Sequence, residues 1–283
     1  LLASSAASDV YKRQVIMSVL LVSCKGKTGN TITVGSDKLD NTQSYFSESM
    51  HKAARCDSGY YYLDKCGASA DNLMFYDDKS EESIVLCNKP QCGHDGEECM
   101  AYISGSEFKS ELYYYNSYIY MISSKGNLVR ISADGTQRTD LGSICVLSGQ
   151  DSVSMCFNDG YAYVSQEITG DIEGNVTVRL HRFNLDTGLS DKIYEETGYG
   201  IGINSLKTYG SDTFFLKTSV SKDDKGLYSL EGKGIFRITG ENTECLLDKN
   251  VYSYCIDADN NKLYYSGLGD GTVSYTHLRA HET

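Results

Sequence analysis

The chain has no tryptophan, a single proline (Pro90), and a deficit of positive charge: 26 Lys and Arg against 38 Asp and Glu, net −12. Binding nucleic acid or an anionic membrane surface requires clustered Lys and Arg. The basic residues here are scattered through turns, so neither partner is expected. Without tryptophan there is no sialidase-type Asp-box. No G-x-S-x-G, H-E-x-x-H, P-loop or dinucleotide fingerprint occurs, which removes the hydrolase, zinc-protease and nucleotide-binding classes that carry them. Runs at Ser221–Gly226 and Asp257–Asn261 resemble calcium loops but lack the ligand spacing and distal Glu, and are expected to be hairpin turns. No long helical periodicity is present between Tyr60 and Thr272.

What is present is tyrosine, 23 residues of it, in short β-type runs. A strand-pair pattern recurs four times: S-Y-I-Y-M (117–121), G-Y-A-Y-V (160–164), D-T-F-F-L (212–216) and K-L-Y-Y-S (262–266). Tyr120, Tyr163, Phe215 and Tyr265 serve as reference positions, spaced 43, 52 and 50 residues apart, and are expected on equivalent strands. Arg130, Arg182 and Arg237 follow in a second strand that runs into a glycine turn. A period of about 40–50 residues built from short strands predicts an all-β partial β-propeller of four-stranded antiparallel blades, with four to five blades over residues 55–272. Alternation puts Tyr118 with Tyr120, and Tyr161 with Tyr163, on one sheet face, where they are expected to be core. The arginines are expected to lay their stems on tyrosines and pair with aspartates. His181 is expected on an edge-like strand as a satisfied or surface residue.

The ends have a different character. Residues 1–14 and 273–283 resemble translated sequencing adaptor and are set apart from the fold, taking His277, Arg279 and His281 with them. Residues 15–24 form an apolar run too short to span a membrane and read as the end of a signal peptide. Leu21-Val22-Ser23-Cys24 matches a lipobox, so Cys24 is the expected lipidation site, and residues 25–54 the polar tether. These readings place the protein outside the cytoplasm, touching the membrane through the lipid anchor only, as a monomer.

Ten cysteines are present. Cys87, Cys92, His94 and Cys99 form C-x4-C-x-H-x4-C. Three thiolates and an imidazole are the ligand set of a closed, structural zinc site. A disulfide knuckle using Cys92 and Cys99, and redox chemistry, are the competing readings. Either cross-link requires the segment to converge in one compact turn. Cys56, Cys156 and Cys255 fall 100 and 99 residues apart and are expected on inner strands as small buried fillers. Pairing of Cys145 with Cys156, or Cys245 with Cys255, is not expected, because inner and outer strands of a blade are too far apart.

Cys255 to Ser266 (C-I-D-A-D-N-N-K-L-Y-Y-S) resembles the low-density-lipoprotein-receptor-type, YWTD-like propellers of bacterial lipoproteins, although the tetrad itself is missing. Leu86 to Tyr102 resembles a segment of exported lipoproteins from anaerobic Gram-positive bacteria. The resemblance implies a surface-anchored propeller and brings no catalytic activity. The functional expectation is a module that binds a protein, small molecule or glycan, with no catalytic residue and no cofactor other than the structural zinc that is one of the readings of Cys87, Cys92, His94 and Cys99. The alternative is the propeller domain of a larger surface hydrolase, peptidase or glycosidase.

Overall fold

The computed structural model describes residues 53–108, 111–170, 174–209, 212–240, 242–257 and 262–267, with the backbone of 273–277. Among them there is no helix, and the strands form five antiparallel sheets in chain order. The first holds β1 (Ala53–Cys56), β2 (Gly59–Lys65), β3 (Ala70–Asp77), β4 (Glu82–Val85) and β5 (Tyr102–Ser104). The second is β6 (Tyr113–Tyr115), β7 (Tyr118–Ile122), β8 (Asn127–Ser132) and β9 (Arg138–Ser143). The third is β10 (Ser152–Asn158), β11 (Tyr161–Thr169), β12 (Asn175–Asn184) and β13 (Ser190–Tyr199). The fourth is β14 (Gly202–Tyr209), β15 (Asp212–Lys222), β16 (Tyr228–Thr239) and β17 (Asn242–Leu247). The last contains β18 (Val251–Asp257), β19 (Lys262–Gly267) and β20 (Val273–His277). Each is an up-and-down meander, save that β5 returns to pair with β3 beside β4, and first strands meet: β1 lies against β6, β6 against β10, and β10 against β14. This is a partial β-propeller.

Turn chemistry fixes the meander. Asn116 and Ser117 (φ +46° and +63°) and Asp159 and Gly160 (φ +47° and +76°) take the left-handed conformations of two-residue hairpins. Between sheets, four apolar cushions form from residues of adjacent blades. Tyr120, Tyr115, Phe157, Ala162 and Phe183 fill the space between the second and third sheets, and Tyr163, Leu180, Ile203 and Phe215 that between the third and fourth. Tyrosine rather than phenylalanine suits this seam because its hydroxyl reaches the next blade. Tyr113 and Tyr115 accept the backbone N–H groups of Met155 and Gly160 at 3.2 and 3.1 Å, and Tyr61 donates to Ala133 O at 3.1 Å.

The four reference positions do lie on the second strand of successive sheets, but two are one residue out of step. Arg130 faces Tyr120 and Arg182 faces Tyr163, whereas Arg237 faces Phe214. Likewise Cys156 faces Tyr163 and Cys255 faces Tyr264. Phe214 and Tyr264 are therefore the true counterparts. A one-residue slip turns a side chain to the opposite face. Phe215 accordingly packs back toward the third sheet while Phe214 packs forward with Tyr254 and Leu263.

Other expectations are refined. His181 sits in β12, paired on both sides by β11 and β13, so it is central rather than edge-like, and it is buried. β1 starts at Ala53, two residues inside the tether assignment, because Ala54 is fully buried in the first core. β20 lies within the adaptor-like segment and pairs along β19, as an alternating chain can do with an open strand edge. Cys56, Cys156 and Cys255 are on first strands as expected, and the first two are buried. Cys255 is exposed, on a face that no later sheet covers among the described residues. All nine described cysteines are free, including Cys145 and Cys245.

Candidate functional sites

The cysteine–histidine segment interrupts the outer edge of the first blade. β4 pairs with Met74–Asp77 of β3, and β5 pairs with Ala70–Asn72 of the same strand. Leu73, between them, accepts from Leu86 N at 2.9 Å and donates to Ala101 O at 2.8 Å. The chain thus leaves and rejoins the sheet at one residue. Within the excursion, Pro90 and Gln91 (φ +60°) occupy the middle of a turn closed by Cys92 N to Lys89 O at 3.4 Å, the arrangement of a type II turn. His94 is also left-handed (φ +57°). These reversals turn the ligand atoms of Cys87, Cys92, His94 and Cys99 inward, all within 4.8 Å of one another. His94 Nδ1 is 3.4 Å from Cys99 Sγ. The expected compact turn is formed.

The thiols are in different electrostatic states. Burial opposes ionisation of Cys87, but the Lys89 N–H, the neighbouring Cys99 and Cys92, and the Met100 N–H outweigh it, and its pKa falls below the ordinary thiol value. Cys99 is pushed up to about 11, chiefly by burial, with Ala101 N–H opposing the rise. Each of these two sulfurs accepts from the amide two residues onward, a pattern that orients sulfur lone pairs and favours the thiolate.

A second site appears where first strands converge. Two adjoining hollows, of about 220 and 310 Å³, share Ser154, Ile203, Asn204 and Ser205. β14 bulges here between Asn204 and Lys207, with Ser205 at φ +53°. The walls mix polar with apolar side chains such as Met155, Ile203 and Leu216, and the polar groups are tied in place. Glu167 accepts from Ile203 N at 3.0 Å and from Ser152 Oγ at 3.3 Å, Ser154 bonds Ser165 at 2.7 Å, and Asn204 Nδ2 donates to Thr218 Oγ1 at 3.1 Å. Tyr252 borders the larger hollow with 56% of its surface exposed. Sequence reasoning missed this site. Its residues come from strands about fifty positions apart, and hydroxyls and amides at those positions carry no local signature.

The repeated arginines contact aromatic rings and carboxylates. Arg130 lies over Tyr118 at 4.7 Å and Arg182 over Tyr161 at 5.4 Å, with Arg182 also 3.2 Å from Asp191. Arg237 sits 3.5 Å from buried Asp212 and bonds Glu244. Only Arg182 both covers a tyrosine and pairs with an aspartate as the sequence suggested; for Arg130 the tyrosine contact is found, and for Arg237 the carboxylate pairing. His181 Nε2 lies 3.2 Å from Gln166 Oε1, whose amide nitrogen donates to Asp151 and to Val146 O, both at 2.9 Å. Burial first, then Arg179 and Lys192, lower its pKa to about 4 against the opposing pull of Glu195, so the ring is neutral. In the run at Ser221–Gly226, Asp223 accepts from Lys225 N and Leu227 N at 2.9 and 2.7 Å, which makes it a hairpin turn. The Asp257–Asn261 run lies mostly outside the described residues, as does Cys24 entirely.

No protein family and no curated protein matches the sequence. Among solved structures, the chain is similar to an oligogalacturonate lyase from Vibrio parahaemolyticus at 10% identity and a TM-score of 0.49, over 86% of this chain and 64% of that one. It is also similar to BamB from Moraxella catarrhalis at 11% identity and a TM-score of 0.32, over 76% of this chain and 66% of that one. An auxiliary nutrient binding protein from Bacteroides thetaiotaomicron aligns at 9% identity and a TM-score of 0.31, over 84% and 72%. The chain spans under two thirds of the lyase structure's length.

Proposed function

We propose that this chain is a ligand-binding propeller module, held outside the membrane by a lipid on Cys24 and working as a monomer with no nucleic-acid partner. Its ligand is a neutral, hydroxyl-rich molecule of one or two sugar rings, seated in the hollow between the first strands. The observation that carries this reading is the shared Ser154–Asn204–Ser205 wall, where ordered hydroxyls and an amide converge on a cavity bordered by an exposed tyrosine ring. Ligand sites are concave, with few well-placed polar groups and an apolar or aromatic wall. An exposed ring offers the flat surface on which a sugar's C–H face packs. The cysteine–histidine cluster has a structural part here, holding a zinc ion remote in sequence from that wall.

The test is binding of the full chain to a panel of neutral and acidic oligosaccharides. A hit whose affinity falls at least about ten-fold in both Asn204→Ala and Tyr252→Ala supports the site, since ten-fold corresponds to ~1.4 kcal/mol. Binding unchanged in both variants removes the hollow as the site. Cleavage of the bound oligosaccharide would favour the hydrolase alternative. Anchoring is separate: Cys24→Ala releases the full-length protein from membranes, and retention of that variant, with no acyl mass on the native peptide, refutes it.

A further inference from the structure

We propose that Cys87, Cys92, His94 and Cys99 bind one zinc ion as a clasp that replaces strand continuity in the outer edge of the first blade. The inference rests on the cluster and not on the hollow, so either can fail without the other. An ordinary blade ends in one unbroken fourth strand. In the first blade two short strands share that role, both registered on β3, and everything between Leu86 and Ala101 projects from the single residue Leu73. The projection has almost no core of its own. Gln91, Gly93, Asp95, Glu97 and Glu98 face solvent, while Cys87, Cys92, His94 and Cys99 alternate inward.

Two hydrogen bonds at its mouth do not by themselves fix such an excursion, and something must hold the interior. Four inward groups supply it. Zinc bonds thiolate sulfur at about 2.3 Å and imidazole nitrogen at about 2.0 Å in a tetrahedron. Those lengths put a sulfur and a nitrogen ligand ~3.5 Å apart. The observed separation between His94 Nδ1 and Cys99 Sγ is 3.4 Å. The ligating nitrogen is therefore Nδ1, on the side of the ring nearer the backbone. Amide groups two residues after Cys87 and Cys99 already point at their sulfurs, the outer support a thiolate–metal bond requires.

The ligand set is closed. Four protein donors leave no position for water or substrate, so the ion is structural rather than catalytic. The metal takes the three sulfurs as thiolates, so binding releases thiol protons to solvent. The resulting centre carries a single negative charge.

The test uses the full chain purified without chelator from zinc-supplemented cells. One zinc per chain by elemental analysis, reduced to a tenth or less in Cys87→Ser and in His94→Ala, supports the clasp. Cobalt substitution gives a readout that does not need the variants to fold: visible d–d bands of tetrahedral intensity with thiolate-to-cobalt charge transfer. A chelator should lower the melting temperature of the unaltered protein while a mild reductant should not. The proposal is overturned by zinc retained in both variants, by iron in place of zinc, or by an octahedral cobalt spectrum. It is also overturned if intact mass is lower by two hydrogens with a mapped Cys92–Cys99 disulfide.

Discussion

The hydroxyl of Tyr254 donates to the carbonyl of Ser205 at 2.7 Å, tying β18 of the fifth sheet to the bulge in β14 of the fourth. Ser205 holds a left-handed conformation that a side chain disfavours. The tyrosine therefore helps maintain a locally strained wall of the hollow. Tyr254→Phe keeps the ring and removes only the bond. We expect a loss of about 1 kcal/mol in urea unfolding. Ligand affinity should fall along with stability; an unchanged unfolding midpoint would show that the bulge holds its own shape.

The repeated arginines should not be energetically equivalent. Arg237 neutralises Asp212, a carboxylate whose side chain is only 4% exposed and which also accepts from Thr239 Oγ1 at 2.6 Å. Removing the guanidinium strands a buried charge. Arg237→Ala should cost about 3 kcal/mol. Arg182 pairs with the largely exposed Asp191 and covers Tyr161, so Arg182→Ala should cost below about 1 kcal/mol. Equal losses in denaturant titrations would contradict this ordering.

His181 predicts a pH dependence with a definite sign. Its folded pKa, about 4, lies below the ordinary imidazole value of 6.5. The unfolded chain therefore binds a proton first, and stability present above pH 6.5 is lost as pH falls toward 4. The full swing is on the order of 3 kcal/mol. His181→Gln should flatten the stability profile between those limits, apart from the carboxylates that titrate at its acid end. Parallel wild-type and variant profiles from pH 7.5 to 4.5 would refute the assignment.

Two left-handed glycines separate strain from collision. Gly160 has φ +76° and open space where a methyl would sit, whereas at Gly126 (φ +87°) a Cβ would lie 2.0 Å from the Cys145 carbonyl oxygen. Gly160→Ala should cost about 1 kcal/mol, the usual penalty of a left-handed alanine. Gly126→Ala must also move the chain leaving the second sheet and should cost about 3 kcal/mol or more. Thermal melts of the two variants make the comparison directly.

The second and third blades were legible because their first hairpins carry local instructions: alternating tyrosines beside Asn-Ser or Asp-Gly at the turn. The slip at Phe215 and Tyr265 was not. Two adjacent aromatics, Phe214-Phe215 and Tyr264-Tyr265, satisfy either register, and only cross-strand pairing with Arg237 and Cys255 decides. His181 misled for a related reason, since a polar residue between two arginine-bearing positions looks solvent-facing until Gln166 is seen behind it. The cysteine–histidine cluster was readable because all four of its members lie in one short stretch. The hollow needs Ser154, Asn204 and Thr218 from three strands, and no spacing rule connects them.

Each apolar cushion is shared only by sheets adjacent in the chain. Energetically the five described sheets behave as a linear array, in which a lesion weakens its own sheet and the sheets packed on it. A chain emerging from the ribosome can bury its first seam as soon as the second sheet is out, long before the fourth has been synthesised. Early blades would then template later ones, and the excursion at Leu73 lies in the first of the described sheets.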